Sequence, residues 1–484
     1  MNRLVKTFAL AAPFALAASL QSGSADACGG CFVPPSESTV VSGHRMALSI
    51  SMQRTVLWDQ IQYQGNPEDF SWVLPIKPGA TIELADPGWF EALEASTVTS
   101  ISAPQLNCQG GSQVFGCGDS RGVGATFAAE DSAGNGGGEP PVTVVKQEVV
   151  GPYDSVTLSS EDPEALTLWL ESHNYAIPDD IKPIIGSYVE EGFDFIALRL
   201  TPGNGVNLMA PVRVITDGAS PVLPLRMVAA GTGAYTSIIL YVIGEGRWTT
   251  SNFPEVPIPY EDLVWDGATN ESNYGELRSA VLGLDFGRAW TSTYAQPNAL
   301  FGWNQSDSED SWAGGGIGYT YLQSVVGEDG SGWDEYSMCQ AAVGAVSNDG
   351  GVVVDNCDPV TGECAPIGAG QISASAFDCG ELTDLSTALI GMNPSDVWVT
   401  RLEANLPRAA LGEDLTLEAS PKQEGVDNFH ITPATKNYEC PGAPVDPTST
   451  DRKGPVGNGT PVVLVGLGAL AALLAARRRR AAHA

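Results

Sequence analysis

The pentapeptide Gly118-Asp119-Ser120-Arg121-Gly122 has the Gly-x-Ser-x-Gly spacing with which a serine nucleophile is held on a sharp turn. Such an elbow needs a strand before it and a helix after it, because the turn must lift the hydroxyl clear of the backbone. Here both flanks are Gly-rich coil. A base is needed as well, and the body between the two terminal segments offers only His44, His173 and His430. His173 closes an amphipathic stretch, where a cation beside the last carbonyls is reason enough for it. Ser120 is therefore a candidate nucleophile without its framework, and an extracellular serine hydrolase is the second reading of this chain.

The nine cysteines carry the other possible chemistry. Cys28-Gly29-Gly30-Cys31 has redox spacing, but a thioredoxin-like pair sits at a helix N-terminus, and Val33-Pro34-Pro35 forbids a helix there. A zinc site would need a second Cys-x-x-Cys, and there is none. Structural disulfides remain. Gly29 and Gly30 let Cys31 reach Cys28, although a distant partner is equally allowed. Cys108 and Cys117 tie a Gly-rich stretch, Cys357 and Cys364 close a single turn, and Cys339 and Cys379 complete the candidates. An odd count leaves one cysteine over, for which Cys440 is the choice. The acidic loops from Asn304 to Asp310 and from Glu328 to Glu335 lack the alternating ligands, Gly at six and Glu at twelve of a calcium loop, so they read as solvated acid. No His-Glu-x-x-His and no phosphate loop appears. The sequence calls for neither metal nor cofactor.

Both ends read as addresses. Arg3 and Lys6, an apolar run from Phe8 to Leu20 and the small-x-small step Ala25-Asp26-Ala27 make a secretory signal cleaved before Cys28. At the other end, Val462 to Ala476 carries no charge and Arg477 to Arg480 follow at once. A helix of that length spans about 22 Å at 1.5 Å per residue, and the positive-inside rule puts the arginines in the cytoplasm. The tail resembles the tripartite sorting signals of bacterial surface proteins, in particular the myxobacterial type. It lacks both Leu-Pro-x-Thr-Gly and the Cys-Gly pair beside the helix, so cleavage and retention both stay open. The membrane, through this tail, is the expected partner, with other envelope proteins beside it.

Between the addresses the chain is strongly acidic. With 24 Lys+Arg against 57 Asp+Glu the net charge is −33; the signal carries +1 and the tail +4, so the body carries −38. That field repels phosphate backbones, which excludes nucleic acid as a partner.

Periodicity divides the body into strands with a few short helices. Val40 to Ser51 reads as a strand pair, Thr55 to Gln64 as a half-buried strand, and Phe70 to Ile76 as its continuation. Asp86-Pro87 is an N-cap followed by Pro at the first helical position, so Gly88 to Ser96 is expected to be helical. Strands follow at Val142 to Val150 and Ser155 to Leu158. Asp162-Pro163 opens a helix over Glu164 to Ser172, with Ala165, Leu166, Trp169 and Leu170 on one face. A helix at Ile184 to Glu190 precedes strands at Phe193 to Leu200, Val222 to Ala229 and Ser237 to Ile243, the last of them interior to its sheet. The fold class is α+β, with strand-rich mixed or antiparallel sheets.

The segments IQYQGNPEDFSWVLPI (61–76), VGPYDSVTLSSEDPEALTLWL (150–170) and YVEEGFDFIALRL (188–200), with the opening Cys28-Gly29-Gly30, resemble the bacterial domain-of-unknown-function family 2330. VTRLEANLPRAALGEDLTLEAS (399–420) is similar to the way that family's domain closes. The resemblance implies a secreted envelope protein and brings no catalytic residues with it. It partitions the chain into a signal (1–27), an N-terminal α+β part (28–107), a Gly-rich linker or loop (108–141) and a central α+β part (142–300). An acidic Cys-bearing insertion (301–380), a closing segment (381–420), a tail linker (421–461) and the hydrophobic helix with its arginines (462–484) follow. The expected function is that of a secreted, envelope-anchored structural or binding protein.

One prediction follows from the opening stretch. A lipobox places an aliphatic residue three positions before the cysteine, whereas Ala25 and the charged Asp26 stand before Cys28. Intact mass spectrometry of the exported protein is expected to show Cys28 as the first residue, free of lipid and oxidised. A diacylglyceryl mass on it, or free thiols at both Cys28 and Cys31, would refute this.

Overall fold

The computed structural model describes residues 31–32, 40–64, 71–104, 142–200 (save 174 and 176), 210–230, 233–301, 316–325, 339 and 351–437 (save 358–360, 362, 377–378 and 381). Twelve strands build its two main sheets. They are β1 (Cys31–Phe32), β2 (Val40–Ile50), β3 (Arg54–Gln64), β4 (Ser71–Ile76), β5 (Thr81–Leu84) and β6 (Val142–Val150). The other six are β7 (Tyr153–Ser160), β8 (Asp194–Leu200), β9 (Val212–Asp217), β10 (Tyr235–Glu245), β11 (Trp290–Pro297) and β12 (Val397–Pro407). The larger sheet has the order β11-β12-β10-β2-β3-β9-β5 and is mixed, because β10 and β2 run parallel while every other pair is antiparallel. The smaller, β1-β4-β8-β7-β6, is wholly antiparallel. The fold is thus α+β and strand-rich, as the alternation implies.

Local chemistry sets the element ends. The β2–β3 turn is fixed by Ser51, whose hydroxyl accepts from the N–H groups of Gln53 and Arg54. Helix α1 (Pro87–Thr97) is capped by Asp86, which accepts from the Gly88 N–H at 2.6 Å, and α2 (Pro163–Ser172) by Asp162, which accepts from Glu164 and Ala165. Other described helices include α3 (Lys182–Glu190), α4 (Leu225–Val228), α5 (Tyr274–Leu282), α6 (Gly316–Val325) and α7 (Thr383–Leu389).

Four expectations need correction. Phe70 to Ile76 does not continue the sheet of β3, since β4 pairs with β1 and β8 in the smaller sheet. Val40 to Ser51 is one strand, not a pair, since the irregularity between Val41 and Gly43 is absorbed as a bulge in the β2–β3 ladder. Val222 to Ala229 is a two-residue strand followed by α4, because Pro224 has no N–H to continue a ladder. β3 is buried on both faces, with Val56 and Trp58 on one and Asp59 and Ile61 on the other.

That last fact reflects the layering. Trp72, Leu74, Ile196 and Leu198 of the smaller sheet pack with Ile82, Val212 and Val214 of the larger. The alternate residues Val73, Phe195 and Ala197 join Leu166, Leu170, Ile185 and Tyr188 of α2 and α3. On its opposite face the larger sheet presents Ala47, Val56, Trp58, Tyr241, Ile243 and Val399 to α1, α6 and α7, through Trp89, Phe90, Tyr321 and Leu385. So β10, flanked by β12 and β2, lies in the interior of a sheet covered on both sides.

A single carboxylate ties that second face together. Asp384, fully buried, accepts from Trp58 Nε1 (2.7 Å), the Asp86 N–H (2.8 Å), Arg213 Nη1 (2.8 Å) and Tyr321 OH (3.3 Å). Burial opposes the Arg213 charge, but Asp384 and Glu83 outweigh it and raise the guanidinium above its usual range. Burial pushes the Tyr321 phenol up, and the Asp384 charge adds to it. Asp384→Ala is expected to cost about 3–5 kcal/mol of unfolding free energy in urea titrations, because it takes the buried partner from half-buried Arg213, which keeps only Glu83, and strands three further donors. Asp384→Asn, which keeps an acceptor, should cost less. Equal stability of both variants and the parent protein would remove Asp384 from this role.

Candidate functional site: a crevice between the two sheets

The inward faces of β2 and β3 carry one polar pair among apolar neighbours. His44 stands in register with Ile61, and Asp59 with Met46, so the two side chains lie diagonally across the ladder. His44 Nδ1 is 2.7 Å from Asp59 Oδ1, and the residues are 2 % and 4 % exposed. An ionised carboxylate can only accept, so Nδ1 carries the proton and the ring is fixed in place. His44 Nε2 is buried and has no hydrogen-bond partner among the described residues.

His44 belongs to the lining of a cavity of about 10 Å³ between Met46, Leu57, Trp72, Leu74 and Met227. That volume admits one water at most. A second cavity of about 60 Å³ adjoins it, shares Leu57, Leu74 and Pro224, and is rimmed by Thr55, Lys77, Thr216, Ser220 and Asp414. Most of these rim groups are already committed. Thr55 Oγ1 donates to the Gly218 carbonyl and accepts from the Ser220 N–H, and Lys77 Nζ lies 3.9 Å from the centre of the Phe193 ring. Asp414 accepts from Tyr188 OH at 2.5 Å and from Arg226 through its backbone N–H, Nε and Nη2; Arg226 in turn forks onto Glu191 with two contacts of 2.7 Å. Burial, then the nearby Asp414 charge, pushes the Tyr188 phenol far up, so it stays a donor.

The larger sheet holds a second charged group on its other face. Arg401 and Glu403, both nearly fully buried, bond each other at 2.9 Å; Arg401 reaches Glu94 (3.0 Å) and Thr97 (3.2 Å) of α1, and Glu403 takes Arg278 of α5 at 2.6 Å and Thr293 at 3.0 Å. Tyr241 OH closes the ring onto Glu94 at 2.6 Å. Burial works to raise the Glu403 carboxyl, but Arg401 and Arg278 prevail and hold it below the usual carboxylate range. This network fastens α1 and α5 to the sheet, and each of its charges is answered.

Of the residues singled out by spacing, those that the structure describes are not assembled into a catalytic group. Ser120, Cys28, Cys108, Cys117 and Cys440 lie outside the described residues, as do the linker 108–141 and the tail from 438. Cys31 is in β1, in register with Trp72. Cys357 is joined to Cys364, and Cys339 to Cys379. His173 caps α2, with Nδ1 2.7 Å from the Trp169 carbonyl and its ring stacked on Trp169 at 3.8 Å. His430 stacks on Tyr260 at 3.5 Å, and burial lowers its pKa against the opposing pull of Asp427. Among the described residues no group of three or more His, Cys, Asp or Glu could hold a metal ion, and no helix is long and apolar enough to cross a membrane.

The His44–Asp59 pair was missed in the sequence, although a signal existed. Each residue occupies an inward position of its strand, His44 with Met46 and Leu48, and Asp59 with Leu57 and Ile61. Two polar residues breaking the apolar register of consecutive strands call for each other.

The architecture is that of a strand-rich α+β domain whose described interior is closed. The family model described as an uncharacterized protein conserved in bacteria (DUF2330) matches residues 22–418. The chain belongs to that family. No curated protein and no solved structure matches it.

The pair itself can be tested. Asp59→Ala leaves the buried imidazole without an acceptor and is expected to lower stability by about 1–3 kcal/mol in chemical denaturation. Replacing both partners with apolar residues, His44→Leu with Asp59→Val, should recover most of the loss. A double variant no more stable than Asp59→Ala would show that the two residues are not coupled.

Proposed function

We propose that this protein is an exported, envelope-anchored module with a structural or binding role. The observation that carries this reading is the closure of the crevice: the oriented His44 faces room for a single water, and the rim groups are mostly bonded to their neighbours. A substrate site needs a concave, largely preformed space with a few uncommitted polar groups, and a crevice of this size does not supply one. The signal at 1–27 and the apolar tail with its arginines support export and anchoring. The strong negative charge of the body argues against nucleic acid and against anionic lipid as ligands. The membrane is then contacted through the tail, and other envelope proteins are the remaining partners.

A serine hydrolase using Ser120 is the alternative, favoured by one feature, the carboxylate-oriented histidine. Deleting 462–484 separates anchoring from folding. The truncated protein is expected in the soluble exported fraction with an unchanged melting temperature, and continued sedimentation with membranes would overturn the anchor. In the same preparations Ser120→Ala should leave any background ester hydrolysis unaltered; a selective loss of such activity would establish the enzyme instead.

A further inference from the structure

β6 is the outermost strand of the smaller sheet, and no other described strand pairs with its outer edge. It is also poorly covered. Every residue from Thr143 to Gln147 is exposed, and Val144, Val145 and Val149 stand 46, 56 and 57 % open to solvent. An edge of this kind, rich in valine, presents a row of free N–H and C=O groups and is a template for another strand.

The sequence along that edge narrows what the other strand can be. Residues 144–150 read Val-Val-Lys-Gln-Glu-Val-Val, so the positions equidistant from Gln147 are complementary: 146 and 148 are opposite charges, 145 and 149 are both valine, and so are 144 and 150. An isologous contact sets a strand against its own reverse, which is the arrangement such a sequence satisfies. We propose that β6 pairs edge to edge with β6 of a second copy of this chain, antiparallel, about a two-fold axis at Gln147.

In that register Lys146 faces Glu148 of the second copy, and Glu148 faces its Lys146. Val145 faces Val149 in both directions. Within one chain Lys146 already reaches Glu148 at 2.7 Å, so the four charges alternate in sign across the axis. A slip that moved the axis to 146 or 148 would set two lysines or two glutamates against each other. The register is therefore specified by charge, and the bulge between Val144 and Lys146 limits how far pairing extends along the strand. Long-range repulsion between two acidic bodies opposes the contact, but at physiological ionic strength it is screened beyond about 8 Å.

The test uses the full chain purified in mild detergent at about 0.15 M salt, where screening applies. Light scattering after size exclusion is expected to show a dimer. Lys146→Glu and Glu148→Lys, made singly at one exposed and one half-buried position, should each weaken dimerisation by about tenfold or more. The double exchange, Lys146→Glu with Glu148→Lys, should restore it, because the charges then face each other in reverse. Gln147→Cys should give a dimer linked through position 147, whereas Thr143→Cys should not. A monomer at all attainable concentrations, a dimer indifferent to all three charge variants, or a monomer that instead binds a strand from another protein at β6 would each overturn the proposal.

Discussion

Asp384 is a full negative charge with no exposure to water, and it persists only because donors from β3, β9, α6 and the cap of α1 converge on it. Such a group is costly unless it is both paired and saturated with hydrogen bonds. Here a guanidinium supplies the pairing and three further donors supply the saturation. The consequence is geometric: Trp58, Asp86, Arg213 and Tyr321 cannot move independently, so the helical layer is held in one register over the larger sheet. The apolar packing of Trp89 against Trp58 and Tyr321, at ring separations of 6.1 and 5.4 Å, depends on that register.

The larger sheet is covered on both sides, and the two cavities beside His44 measure only about 10 and 60 Å³. The polar groups found in the interior are answered chiefly by one another, in the Asp384 cluster, in the Arg401–Glu403 network and in the His44–Asp59 pair. Interaction with other molecules then falls to the edges and surfaces of the fold. β6, an outer strand of the smaller sheet with Thr143 to Gln147 exposed, is such an edge.

How much of this was legible in the sequence varies with the range of the forces involved. The starts of α1 and α2 were, because Asp86-Pro87 and Asp162-Pro163 satisfy helix N-termini within a few residues. The interior place of β10 was also, since SIILYVI can be buried on both faces. The ladder pairings were not, and β10 beside β2 illustrates why: the strands run parallel although nearly two hundred residues separate them, and no turn dictates their register. The Asp384 cluster was out of reach for the same reason, with Trp58 standing 326 residues away in sequence. In Asp384 itself the sequence shows only one more acid in an acidic protein. The single break of Val222–Ala229 into strand and helix was readable at Pro224 and was overlooked in favour of the apolar run around it.

The acidity of the chain bears on the same point. With 24 Lys+Arg against 57 Asp+Glu, cations are the scarce species, and most of the described arginines are spent on interior and half-buried contacts. Arg54, Arg213, Arg226, Arg247, Arg278, Arg288, Arg401 and Arg408 each meet a carboxylate, while Arg45 and Arg199 lie over the rings of Phe90 and Tyr175. The guanidinium suits this use because its planar fork answers two acceptors at once and carries its charge at any physiological pH. What remains uncompensated is acid, and it faces outward. A surface of one sign keeps such a molecule soluble and repels copies of itself except where opposite charges are set face to face. That makes the few exposed lysines informative, and Lys146, on an uncovered strand beside Glu148, is one of them.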